Sequence, residues 1–291
     1  MNNYRILGFI LMLGCFSCTN KVQQERIITV TIEPQRYFAD QLVDSLFQIG
    51  SMVPPGTSPE TYDPTPQQMV QLSQSMAYFC IGNIGYEIVW LDRLKKNHPN
   101  TRFFDNSEGI LSILSEHDHH NHNHNHAHNS ECNIDPHTWT SPKEALIIVE
   151  NMCQALLEID PENAEVYRSN GENLKEHIRK TDQIIQSYLS HSSQKAFIIY
   201  HPALTYFARD YGLTQYAIEM DGKEPSPDQI RKIIETAKAE NIRTVFIQQE
   251  FDRKNAEIIA KEIDCKLVVI NPLSYHWTEE IIRIAKALAD E

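Results

Sequence analysis

The chain has 291 residues, more than one minimal core needs and enough for two lobes of roughly 100–200 residues each. With 26 basic against 39 acidic residues its formal net charge is −13, which excludes the clustered positive charge of a nucleic-acid-binding surface and points to a cation or a protein as partner. A hydrophobic content of 41% with 10 Gly and 14 Pro excludes collagen-like and wholly disordered chains, and 6 Cys in this length exclude a small disulfide-stapled scaffold.

Residues 1–18, MNNYRILGFILMLGCFSC, carry Arg5 ahead of an apolar run over 6–13, far short of the ~20 residues needed to span a bilayer, and so have the form of a signal peptide. Gly14 precedes Cys15 and Ser17 precedes Cys18, which resembles the lipobox of bacterial lipoproteins. Lipid attachment is expected at Cys18, where a polar Thr-Asn-Lys tether follows, with Cys15 as the alternative. Cys80, Cys132, Cys153 and Cys265 form no CxxC pair. Cys132 and Cys153 are nearest in sequence, and either a disulfide or buried thiols fit them.

Short apolar runs then alternate with helical spacing, the pattern of βα units around a parallel sheet. Strands are expected over 27–32, 50–53, 76–81 and 102–104, with helices over 35–47 and 65–75. Ala145, Ile148, Val149, Met152, Leu156 and Ile159 recur on one face of a helix over 142–159, which closes a lobe spanning 19–160. Pro161 opens a mostly polar segment whose narrow stripe of Tyr167, Leu174, Ile178, Ile185 and Tyr188 reads as a solvent-exposed linker helix over 161–191. A second lobe over 192–291 repeats the rhythm, with strands at 196–200, 215–218, 243–247 and 266–270 and helices at 202–211, 227–240, 253–263 and 278–289. The expected fold is α/β, with two Rossmann-like parallel-sheet lobes joined by a single long linker helix.

Of 13 histidines, seven lie between 117 and 128, in HDHHNHNHNHAH: His117, His119, His120, His122, His124, His126 and His128. With only Ala127 apolar, this run cannot offset its ordering entropy, and its imidazoles suit an auxiliary metal-binding loop. Better-defined candidates lie where chains leave strands, because ligands of open α/β sheets gather beyond the strand carboxyl ends. His201 and Asn271 follow expected strands directly, Glu60 and Asp63 lie in the loop PPGTSPETYDPTP, and His137 lies in DPHTW.

Those segments, with TIEPQRYFADQL, YHPALTYFARDYGL, GKEPSPDQI and VVINPLSYHW, resemble the zinc- and manganese-binding receptors of bacterial ABC importers over essentially the whole mature chain. The resemblance implies an extracytoplasmic, likewise two-lobed receptor, in the periplasm or at the cell surface. It would be monomeric and non-enzymatic, binding a divalent metal between its lobes for a membrane permease. His137 and His201 match two of the family's ligand positions. Glu60 stands where a histidine is usual, and Asn271, a weak neutral oxygen donor, where an aspartate is usual. Such a set holds Zn(II) but tolerates Mn(II) more readily than three histidines would. Glu33, Glu219 and Glu250 follow expected strands and are candidates for an alternative ligand or for partners of the histidines. A zinc metallohydrolase is the competing class. It lacks an HExxH helix here, and Glu60, His137 and His201 are separated by 77 and 64 positions.

Overall fold

The computed structural model describes residues 26–114, 134–219 and 222–289. In chain order the first half forms β1 (Ile27–Val30), α1 (Glu33–Val43), β2 (Gln48–Ser51), α2 (Pro66–Ser73), β3 (Ser75–Cys80), α3 (Gly85–Asn97), β4 (Arg102–Asp105) and, after a 3-10 turn at Thr138–Thr140, α4 (Pro142–Ile159). A 3-10 turn at Pro161–Asn163 leads into α5 (Ala164–Ser190). The second half adds β5 (Ala196–Ile199), α6 (Thr205–Tyr211), β6 (Thr214–Ala217), α7 (Pro227–Ala239), β7 (Thr244–Gln248), α8 (Lys254–Glu262), β8 (Lys266–Ile270) and α9 (Trp277–Ala289).

Among the described residues the strands form two four-stranded, wholly parallel sheets, ordered β2-β1-β3-β4 and β6-β5-β7-β8. Each reverses its winding direction once, between β1 and β3 and between β5 and β7, and there a crevice opens at the strand carboxyl ends. In the first lobe the chain's own side chains fill that crevice. Gln35 accepts the Thr31 and Ile32 N–H groups and donates to the Phe79 carbonyl, while Glu87 accepts from Ile81 and Gly82 N–H and from the Thr31 hydroxyl. In the second lobe the equivalent crevice carries His201 and Gln248.

Local signals account for most boundaries. Thr65 and Ser226 cap α2 and α7, each paired with a glutamine three residues on and followed by proline, and Ser141 caps α4 in the same proline-led way. Helix α1 stops at Val43 rather than at 47 because Asp44 turns to φ +50°. Helix α6 begins at Thr205 rather than 202, after a tight turn in which the Ala203 N–H bonds the His201 carbonyl. Spacing names no helix over 85–97, where α3 forms. Its apolar Ile88 and Val89 face solvent while Glu87 is buried, so no clean period exists.

Helix α5 is not the solvent-exposed linker that its polarity suggests. Tyr167, Gly171, Leu174, Ile178, Thr181, Ile185 and Leu189 form a seam of three- and four-residue steps, buried against α1, α4 and α9. Leu189, rather than Tyr188, completes the stripe. The resulting core is continuous from the first sheet through α5 to one face of the second, where Phe197, Ile199 and Phe246 join it. The alternate residues Ala196, Ile198, Val245 and Ile247 form a separate core with α7 and α8. No helix among the described residues is long and apolar enough to cross a membrane.

Candidate metal centre

His137 sits at the mouth of the turn leading into α4. Asp135 accepts its backbone N–H at 2.9 Å and also lies 2.9 Å from ring Nδ1, so the same carboxylate fixes both the chain and the imidazole. Burial disfavours a charge on Asp135, but the proximity and hydrogen bonds of His137 outweigh it and hold the carboxyl below its ordinary range. His137 shows the converse balance: burial opposes the imidazolium, and Asp135 raises its pKa in spite of it. Across the lobe boundary, His201 leaves β5 with its backbone clamped by Gln248, which accepts its N–H at 3.3 Å and donates to its carbonyl at 2.6 Å. Its Nδ1 lies 3.2 Å from Glu219 Oε1, and the Phe251 ring stacks on it with centroids 5.6 Å apart.

With Nδ1 of each imidazole beside a carboxylate, the two Nε2 atoms face one another in the pocket, 3.2 Å apart. That separation suits a proton shared between the rings or a metal ion bound by both. Two imidazoles bound at about 2.05 Å to one tetrahedral zinc ion would hold their nitrogens about 3.3 Å apart.

Glu60 is the third member of this group. Its loop docks on the N-terminus of α3, where Gly85 N–H donates to Glu60 Oε2 at 3.1 Å and Tyr86 N–H to the Pro59 carbonyl at 2.8 Å. Its other oxygen, Oε1, is buried with no hydrogen-bond partner. Glu60, His137 and His201 offer ligand atoms within 4.8 Å of one another, the one such His/Cys/Asp/Glu group among the described residues. They line a cavity of about 20 Å³, room for one body the size of a water molecule, together with Trp139, Gln248, Glu250, Phe251, Pro272 and Leu273.

The other sequence-derived candidates are distributed differently. Asn271 does not line the cavity, although its neighbours Pro272 and Leu273 do. Its backbone N–H is turned toward Glu280, at 2.7 Å. Glu33 opens α1 and pairs with Arg36, away from the cavity, and Asp63 accepts from the Trp90 indole. Glu219 partners His201, and Glu250 lines the cavity. His117, His119, His120, His122, His124, His126, His128, Cys15, Cys18 and Cys132 lie outside the described residues, and Cys153 is a free buried thiol. Sequence reasoning gave no role to Asp135, Gln248 or Gly85. The first has a signal in hindsight, a carboxylate two positions before a histidine across a proline.

Fold and site together define a two-lobe binding protein whose ligand cavity, at the lobe boundary, has the size and donor set for a single metal ion. A family model described as zinc-uptake complex component A, periplasmic, matches residues 28–287, and the chain belongs to that family, the metal-binding receptors of ABC importers. It is 27% identical over 281 residues to the high-affinity zinc uptake system protein ZnuA of Bacillus subtilis (strain 168), covering 94% of this chain and 88% of that protein. It is also 27% identical over 283 residues to the zinc-binding lipoprotein AdcA of Streptococcus pneumoniae (strain R6), covering 94% of this chain and 56% of that protein. A crystal structure of ZnuA superposes with a TM-score of 0.82 at 33% identity, covering 91% of this chain and 98% of that one. A zinc-bound ZnuA deletion mutant gives a TM-score of 0.81 at 32% identity, covering 92% of this chain and 99% of that one. Receptors of this family work outside the cytoplasm and serve an ABC permease.

Proposed function

We propose that this chain captures one divalent transition-metal ion, Zn(II), through Glu60, His137 and His201 and passes it to a membrane permease. The observation that carries this reading is the pair of carboxylate-backed imidazoles meeting Nε2 to Nε2 at 3.2 Å. In this reading the signal peptide within residues 1–18 is cleaved immediately before the cysteine that carries the lipid, Cys18 or alternatively Cys15, and the receptor acts as a monomer. Its lobes are 19–160 and 192–291 with 161–191 between them, and the histidines of 117–128 collect metal loosely nearby. Catalysis is no part of this reading, which follows the family of solute-binding transport receptors. Calorimetric titration of zinc into metal-free protein should find one tight site that survives deletion of 117–128 and disappears in His201→Ala. Persistence of tight binding in His201→Ala would refute the assignment.

Mn(II) is the second reading, favoured by the carboxylate at Glu60, since harder oxygen donors tolerate manganese better than imidazole does. Competition titrations should show Glu60→His shifting the ratio of affinities toward zinc, and an unchanged ratio would remove Glu60 from the ligand set.

A further inference from the structure

Three ligands leave a tetrahedral ion one donor short. Asn271 is not among the residues that line the cavity, which leaves a water or another group on its wall as the candidate fourth donor. Beyond Glu60, His137 and His201, side chains on that wall with a heteroatom suited to the task are few. Gln248 has both ends of its amide engaged on the His201 backbone. Ser58 already accepts the Glu60 N–H at 3.3 Å and is a neutral alcohol, and the Trp139 indole donates to the Pro272 carbonyl at 2.8 Å. Pro59, Ala203, Phe251, Pro272 and Leu273 have no side-chain donor atom.

Glu250 remains. It lies on the turn that leaves β7, between Gln248, which clamps the His201 backbone, and Phe251, which stacks on the His201 ring. A bond from Phe251 N–H to the Gln248 carbonyl closes this turn at 3.3 Å. Burial raises the Glu250 pKa, while a bond from its own backbone N–H and the nearby His201 and His137 oppose that rise, so its carboxylate is within electrostatic reach of both imidazoles. A second carboxylate beside Glu60 would give a divalent ion two anionic oxygen donors in addition to the carboxylates that back the imidazoles.

We propose that Glu250 is the fourth metal ligand, in place of the weaker donor Asn271. It lines the same cavity without belonging to the group whose ligand atoms lie within 4.8 Å of one another, and it swings inward when the ion arrives. The proposal rests on the metal-centre assignment above. It makes the site a set of two imidazoles and two carboxylates drawn equally from the two lobes, with the last ligand supplied by the turn that already positions His201.

The test uses the full mature chain and the variants Glu250→Gln, Asn271→Ala and His201→Ala, each loaded with zinc, cobalt(II) or manganese(II). Glu250→Gln should still bind one zinc ion but roughly tenfold to a hundredfold more weakly. Its cobalt spectrum should change in band energy and intensity, and manganese-loaded protein should gain a fast-exchanging water detectable by proton relaxation. Asn271→Ala should match the parent in all three. Parental affinity and cobalt spectrum in Glu250→Gln, with binding abolished in His201→Ala, would overturn the role of Glu250 alone. Retention of the tight site in His201→Ala would overturn the metal centre with it. Melting of the metal-free variants checks that each is folded, and the cobalt spectrum separates a ligand from a residue that merely supports the turn.

Discussion

Gly85 lies so close to Glu60 that a Cβ added to it would meet the Glu60 carbonyl oxygen at 2.7 Å and its Cα at 2.8 Å. The requirement is steric, since the clash is with backbone that cannot rotate away. Gly85→Ala should therefore push the Glu60 loop off α3, breaking the bonds from Gly85 and Tyr86. A loss of about 1–3 kcal/mol in unfolding free energy and weaker zinc binding are expected, read by denaturant melts and chelator competition. Unaltered zinc affinity would mean that the loop's seat on α3 does not set the Glu60 position.

Asp135 holds His137 through its ring and its backbone at once. Asp135→Asn preserves the shape but removes the charge that selects the Nδ1–H tautomer, so zinc affinity should drop roughly tenfold to a hundredfold with one site per chain retained. Glu219→Gln should act in the same direction on His201. Isothermal titration checks both.

Glu87 supplies a pH dependence remote from the metal. Burial pushes its carboxyl up to about 7, although bonds from Thr31, Ile81 and Gly82 pull the other way. An unfolded glutamate titrates near 4.3, so between about 4.3 and 7 the folded state holds the extra proton. Linkage then makes stability fall as pH rises through that window, by up to about 4 kcal/mol, with the favourable contribution fully present only at the acidic end. Denaturant unfolding of metal-free protein and Glu87→Gln across pH 5 to 8 measures this. The difference between the two should decline with rising pH, and parallel profiles would contradict it.

Two indoles tie the lobes together. Trp139 Nε1 donates to the Pro272 carbonyl at 2.8 Å, and Trp277 Nε1 donates to the Trp139 carbonyl at 2.7 Å. Trp139→Phe leaves a buried carbonyl unpaired and should cost about 1–3 kcal/mol. A double-mutant cycle with Trp277→Phe should show coupling between them, measured by thermal or chemical melts.

Much of the scaffold was legible because parallel strands buried on both faces read as short apolar runs, and helices announce themselves by caps and prolines. The strand over 266–270 and the helix over 142–159 coincide with β8 and α4. Helix α3 was hidden because it exposes Ile88 and Val89 and buries Glu87, which inverts the pattern that periodicity detects. The seam of α5 was visible, but its burial depends on helices distant in sequence. Glu60, His137 and His201 were singled out by their places beside strands and helix starts and then by motif resemblance, and only tertiary packing brings them together. Asn271 had the expected position after a strand. That it does not line the cavity depends on the direction of one turn, which spacing does not encode.

The seam along α5 also constrains how an ion enters and leaves. A core that runs unbroken from one sheet to the other works as a weld, so swinging the halves apart would expose Phe197, Phe246, Trp277 and the α5 stripe to water together. The cost of such an opening grows with every apolar side chain uncovered. Traffic of the ion therefore falls to the lightest parts of the cavity wall, the loop resting on α3 through two backbone N–H groups and the turn after β7. A docking permease would need to displace only a few bonds there to make the cargo leave.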